Sequence, residues 1–215
     1  MMLSPEGFYE TELKGKKHEE ILRVIRRLKR RIAMLKHTME HPDYDTEAIM
    51  HPSEATRLWC TRLYLQRARD ALAEIGAPCE PTKAELRVMD FDASIGNISR
   101  ITLTIGGFFS GWRTYTVRLD DGLHFEVDDL AFPDIPAEER MTKEEFLDSF
   151  AALHVGEWRR HYDTERFGYV VLDGTQWELT IEYSSDRNAF TSGGSNAYPY
   201  NFRALTELLG IDGDT

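Results

Sequence analysis

Tyr115-Thr116-Val117-Arg118-Leu119-Asp120-Asp121-Gly122-Leu123-His124-Phe125-Glu126-Val127 is the stretch whose reading decides the fold. Apolar and polar residues alternate on both sides of an acidic, glycine-ended turn, the period of strands with one buried face. Tyr115, Val117 and Leu119 share a face with Leu123, Phe125 and Val127 only if Leu119 opposes Leu123 across the three-residue loop Asp120-Asp121-Gly122. A two-residue Asp-Gly turn would set Leu119 against His124 and split the apolar sets between faces. The spacing therefore predicts an antiparallel pair with Gly122 in the left-handed position.

Working outward, Ile101, Leu103 and Ile105 alternate with Thr102 and Thr104, a further half-buried strand. Thr142 and Glu145 have capping-box spacing ahead of Phe146, Leu147, Phe150 and Leu153, which predicts a short amphipathic helix. Phe167 to Leu172 and Trp177 to Tyr183 flank Asp173-Gly174 and read as a second hairpin. A closing helix is expected from Asn201 to Leu209, stopped by Gly210. Residues 99–215 thus read as an acidic α+β domain, a mostly antiparallel β-sheet of about five strands with helices on one face.

Toward the N-terminus the period changes. Ile21, Ile25, Leu28, Ile32, Leu35 and Met39 form a heptad seam, with Arg23, Arg26, Arg27, Lys29, Arg30, Arg31 and Lys36 on the remaining surface, until Pro42 stops the helix. After Pro52, with Ser53 as N-cap, Leu58, Thr61, Leu65, Ala68, Leu72 and Ile75 repeat the seam and leave Trp59 and Tyr64 outside it. Two such seams joined by a short connection predict an N-terminal antiparallel helical hairpin, coiled-coil-like, over residues 18–76. The expected division is 1–76 basic helical hairpin, 77–98 connector with a short helix over Thr82–Met89, and 99–215 sheet domain.

The chain has 215 residues, 41% hydrophobic and 29% charged, with 11 Phe, 9 Tyr and 4 Trp, which is enough to build a core and excludes disorder throughout. Its apolar runs are short of the roughly 20 residues a membrane span needs. Ser4, Pro5, Glu6 and Glu10 stand where a signal peptide would carry its apolar segment, so a cytoplasmic address is expected, with Cys60 and Cys79 as reduced thiols. The formal charge of −11 is segregated: residues 14–69 carry 14 Lys or Arg against 7 Asp or Glu, residues 70–215 carry 12 against 27. Such a dipole suits a polyanion at one end and a basic protein surface at the other.

Motifs for catalysis are sparse. Gly106-Gly107-Phe108-Phe109-Ser110-Gly111-Trp112-Arg113 has the glycine spacing of a phosphate loop but lacks the Lys-Ser/Thr that holds phosphate and magnesium, so it reads as a turn presenting Phe108, Phe109 and Trp112 to a partner. His37 and His41, a helical turn apart with Asp43, Asp45, His51 and Cys60 nearby in sequence, have the spacing of metal ligands, but Pro42 and the helix end favour a polar helix terminus, and no metal or cofactor is expected. His154, His161 and Asp163 suggest a general-base pair for a small hydrolase or transferase, without a nucleophile to serve. Asp120, Asp121, Glu126, Asp128 and Asp129, continued by Asp134, Glu138, Glu139, Glu144, Glu145 and Asp148, are scattered as on a surface, either a solvating face or an imitation of phosphates.

Asp173-Gly174-Thr175-Gln176-Trp177-Glu178-Leu179-Thr180-Ile181 and Gly194-Ser195-Asn196-Ala197-Tyr198-Pro199-Tyr200-Asn201-Phe202 resemble motifs of an uncharacterised protein family of gut bacteria and their mobile elements, as do Ser4-Pro5-Glu6-Gly7-Phe8-Tyr9 and His41-Pro42-Asp43-Tyr44. The resemblance carries no activity. In the second motif Gly193 and Gly194 are read as tight turns and Asn201 as a cap, a structural lock. In general character the chain is also similar to inhibitors of bacterial nuclease defence, such as anti-CRISPR proteins. The sequence therefore leads to a non-enzymatic binding protein, an inhibitor or regulator of a bacterial nucleic-acid enzyme. It would act by polyanion mimicry through Asp120, Asp121, Glu126, Asp128 and Asp129 with Phe108, Phe109 or Trp112 as anchor, or by a basic clamp of Arg23, Arg26, Arg27, Arg30 and Arg31 on nucleic acid. Its expected partner is a nucleic-acid-binding protein such as a defence nuclease, with no membrane contact. A coiled-coil adaptor that forms a homodimer through the hairpin is the further alternative.

Overall fold

The computed structural model describes residues 3–44, 51–107, 111–128, 130–131, 141–171 and 173–211, and it is an α+β protein. The chain divides into two compact units, Met1–Thr82 and Lys83–Thr215.

In the first unit Ser4 caps α1 (Pro5–Phe8) by accepting a hydrogen bond from the Gly7 N–H at 3.0 Å, and the chain continues through one wide π-turn, Tyr9–Leu13. Helices α2 (His18–Met39) and α3 (Glu54–Glu74) follow, the latter capped by Ser53, whose hydroxyl accepts from the Thr56 N–H. Ile21, Ile25 and Leu28 of α2 bury against Leu65, Ala68 and Leu72 of α3, as their seam spacing requires. Val24 is buried as well, in a cluster that also holds Phe8 and Leu13 of the segment preceding α2, an apolar contact that the heptad seam does not record. Ile75 falls outside: it is 52% exposed at the C-cap, where Gly76 (φ 72°) turns the chain and the Ala77 N–H closes on the Leu72 carbonyl. The two residues left off the seam part company. Tyr64 stacks on Phe8 at 4.4 Å and donates to the Leu3 carbonyl, whereas Trp59 stays 62% exposed.

The second unit contains α4 (Lys83–Ser94), β1 (Ile98–Gly107), β2 (Gly111–Arg118), β3 (His124–Val127), β4 (Leu130–Ala131), α5 (Lys143–Ala152), β5 (His161–Tyr162), β6 (Gln176–Tyr183), β7 (Phe190–Ser195) and α6 (Phe202–Leu208). Among the described residues the strands form one seven-stranded sheet in the order β4-β3-β2-β1-β6-β7-β5, antiparallel except for β5 beside β7. Tyr115 opposes Val127 and Val117 opposes Phe125, the register deduced from the apolar faces. Gly122 does have positive φ, at 151°, but far from the left-handed helical value. Thr142 and Glu145 form the expected reciprocal cap of α5.

Four expectations need correction. Residues 167–171 form no strand: Glu165–Phe167 is a single 3-10 turn, and Val170 is 77% exposed. β6 pairs instead with β1 and β7, because burying Trp177, Leu179 and Ile181 is best served by a central position between two full-length neighbours. Gly193 and Gly194 are not turns but residues of β7, where they permit close approach. A Cβ on Gly193 would come within 2.9 Å of the Trp177 carbonyl, and one on Gly194 within 2.8 Å of the Trp177 indole nitrogen. Asn201 occupies the N-cap of α6 without capping it, for its side chain accepts from the Trp158 indole at 3.0 Å and donates to the Leu153 carbonyl. Within 77–98, the stretch read as a connector, α4 runs past Met89, and Phe91, Ile95 and Ile98 enter the sheet unit's core with Leu103, Phe146 and Leu205.

Candidate functional site

Two surfaces, one in each unit, carry exposed groups of the kind that recognise ligands. On α2, at 100° per residue, Arg23, Arg26, Arg27, Arg30 and Arg31 fall on an arc opposite the buried Ile21, Ile25 and Leu28, along about 12 Å of helix. All five are exposed. They are not equivalent. The Arg27 guanidinium holds the Glu12 carboxylate at 2.8 Å, and that hydrogen bond keeps the Glu12 carboxyl below its usual range. Arg23, Arg26, Arg30 and Arg31 have no acidic partner among the described residues; Arg26 and Arg30 only reach back to the Leu22 and Arg26 carbonyls. Beside this face lies a cleft of about 650 Å³ whose lining includes Leu3, Phe8, Leu28 and Tyr64 on the apolar side and Arg27, Arg31 and Arg57 on the polar side.

In the second unit the polar face of the sheet carries a trough of about 590 Å³ between Trp112 on β2, Thr104 on β1, Gln176 and Glu178 on β6, and His161 on β5. Trp112 opposes Gly106 and is 55% exposed; Phe108 and Phe109 lie outside the described residues. The acidic set is partly engaged in the fold. Glu126 pairs with Arg118 at 2.8 Å, and Asp121 lies 3.3 Å from His124. Asp128, in the left-handed region at φ 48°, accepts the Thr114 N–H at 2.8 Å and so closes the end of the β2–β3 ladder. Asp120 is exposed in the turn. Asp129, Asp134, Glu138 and Glu139 lie outside the described residues.

Of the third set, His161 and Asp163 come within 3.9 Å in an exposed pair, and the Asp163 carboxylate also accepts the Arg166 N–H. His154 sits in the left-handed region ahead of a 3-10 turn, with its own N–H on the Ala151 carbonyl. His41 approaches Asp43 at 3.8 Å, and His37 is exposed. Among the described residues no group of three or more His, Cys, Asp or Glu could hold a metal ion, and no helix is long and apolar enough to cross a membrane.

The two C-terminal motifs meet in the core. The Trp177 indole donates to the Ala197 carbonyl at 2.9 Å, and Tyr198 and Phe202 pack on its ring at 6.3 and 4.8 Å. Asn196, at φ 51°, accepts the Thr175 N–H at 2.9 Å and crosses directly over Gly174. These residues lock the strands to α6. Sequence periodicity missed Glu12 and the cleft, which depend on the 4–13 segment folding back onto α2 and α3. It also missed the trough, though the polar members of each alternating strand were its signal.

Compared with known proteins, the chain matches no family model, no curated protein and no solved structure.

Proposed function

We propose that this chain is a non-enzymatic binding protein that regulates or inhibits a bacterial nucleic-acid enzyme, of the anti-defence kind, in the cytoplasm, and that it does so by laying the basic face of α2 along nucleic acid. In this reading α2 and α3 are an antiparallel, coiled-coil-like hairpin, and the helices of the sheet unit lie on one face, leaving the polar face to a protein partner. The observation that carries it is the set of four exposed arginines, Arg23, Arg26, Arg30 and Arg31, with no acidic partner among the described residues. Phosphate neutralisation needs only such a charged face, without base readout. Polyanion mimicry has less support, since Glu126 and Asp128 already have partners within the fold.

The test is fluorescence anisotropy of labelled DNA at about 50 mM salt, where phosphate contacts are strong. The wild type should bind, and the variant with Arg23, Arg26, Arg30 and Arg31 changed to Glu should not, with its helix content intact by circular dichroism. No binding by the wild type, or undiminished binding by the variant, overturns the proposal. A second reading, a protein partner docked on the sheet through Trp112, draws on the exposure of that ring; nuclease-treated pull-down comparing wild type with Trp112→Ala separates it from the first.

A further inference from the structure

The cleft beside α2 differs from the helix face in being concave and half apolar. Its lining brings three guanidiniums together: Arg27 and Arg57 are paired with Glu12 and Glu54 at 2.8 and 3.3 Å, while Arg31 has no acidic partner among the described residues, so the hollow keeps one uncompensated cation. Its other wall is Leu3, Leu28 and the Phe8–Tyr64 stack. Arg31 belongs to both surfaces: it ends the arginine row and lines the cleft. A strand whose phosphates follow Arg23, Arg26 and Arg30 would bring its next nucleotide to the mouth of this hollow.

We infer that the cleft receives an unstacked nucleobase, so that the ligand of the α2 face is single-stranded nucleic acid. This rests on the reading of α2 as a nucleic-acid surface and adds the class of strand. A base has an apolar face and a polar edge, matched here by the Leu3–Leu28–Tyr64 wall and by guanidinium planes that stack on bases and donate to them. Its room is ample, at about 650 Å³. A duplex keeps its bases paired and stacked, and extruding one costs free energy that a single strand does not spend.

Charge alone predicts the opposite order. Duplex DNA has the denser phosphate lattice and releases more counterions per contact than a single strand, so a purely electrostatic face prefers the duplex. The wild-type protein should therefore be titrated with a short single-stranded DNA, with the duplex of equal length, and with a single strand made wholly of abasic nucleotides. The single strand should bind at least as tightly as the duplex, and the abasic strand roughly tenfold more weakly, the effect of losing one stacked base. Leu3→Ala, which strips the apolar rim of the cleft while leaving the residue 3 carbonyl to Tyr64, should reduce the single-strand advantage and keep duplex binding. A 2-aminopurine reporter in the single strand should change its emission on binding to the wild type and less on binding to Leu3→Ala. Tighter duplex binding together with equal affinity for the abasic strand overturns this inference and leaves the α2 face standing. Binding to none of the three overturns both.

Discussion

Glu12 sets how many cations α2 presents, and the number can be counted by salt. Four arginines, Arg23, Arg26, Arg30 and Arg31, have no acidic partner among the described residues, while Arg27 is already neutralised by Glu12 at 2.8 Å. If each of the four takes one phosphate of a single strand, log K falls by about 2.8 per decade of salt, at about 0.7 per contact. Raising salt from about 50 to 200 mM then weakens binding roughly 50-fold. Arg30→Gln should reduce the slope to about 2.1, whereas Arg27→Gln should leave it close to 2.8, because its cation releases no counterion of its own. Glu12→Gln should steepen the slope to about 3.5 by freeing Arg27 as a fifth contact. The assay is anisotropy of a labelled single strand over a potassium chloride series, reading slopes and not affinities. Equal slopes for Arg27→Gln and Arg30→Gln, or no steepening in Glu12→Gln, would refute the assignment of Glu12 as an internal counterion.

Trp177→Phe leaves about 40 Å³ unfilled, about 1 kcal/mol, and strands the Ala197 carbonyl for about 1–3 more, so urea denaturation should show a loss of about 2–4 kcal/mol. Asn196→Ala should cost about 2 kcal/mol, from the Thr175 hydrogen bond and the left-handed backbone together, and Asn196→Gly about 1 less, since glycine accepts that backbone; equal losses would show the backbone to be unstrained. Partial desolvation, then the charge of Glu157, raises the carboxyl of the exposed Asp92 above its ordinary range, so the ionised form is the disfavoured one in the fold. Asp92→Asn should accordingly stabilise the protein at neutral pH, and that gain should disappear as pH falls below the ordinary aspartate value, where the wild-type carboxyl is protonated in folded and unfolded chains alike. Trp112→Ala should change stability by no more than about 0.5 kcal/mol, as for a side chain outside the core; a larger loss in thermal melts would mean that its ring supports the sheet.

Elements governed by a local period were legible in the sequence. The register of 115–127 follows from keeping six apolar residues on one face, and the seams of α2 and α3 follow from their spacing. What escaped depends on residues distant in the chain. β7 reads Phe-Thr-Ser-Gly-Gly-Ser, with no alternation, because its glycines answer to the bulk of Trp177 on the neighbouring strand. Asp173-Gly174 resembled a hairpin turn, yet Gly174 is needed because the Asn196 side chain passes over it. The arginine row was visible as five equal positions. That one of them is already paired lies in a contact fifteen residues away, which no pattern within a helix records.

The described sheet ends, on either side, in strands of two residues: β4 beside β3, and β5 beside β7. An exposed strand margin is an invitation to pair, with rows of unsatisfied amides ready to template another polypeptide. Stubs of this length offer a visiting strand almost nothing to register against, and the parallel setting of β5 interrupts the antiparallel ladder before it reaches the rim. Recruitment by β-augmentation is thereby discouraged, and so is runaway stacking of copies into fibrils. Association at these described margins therefore leans on side chains more than on backbone, which makes recognition there a matter of chemistry that single substitutions can erase.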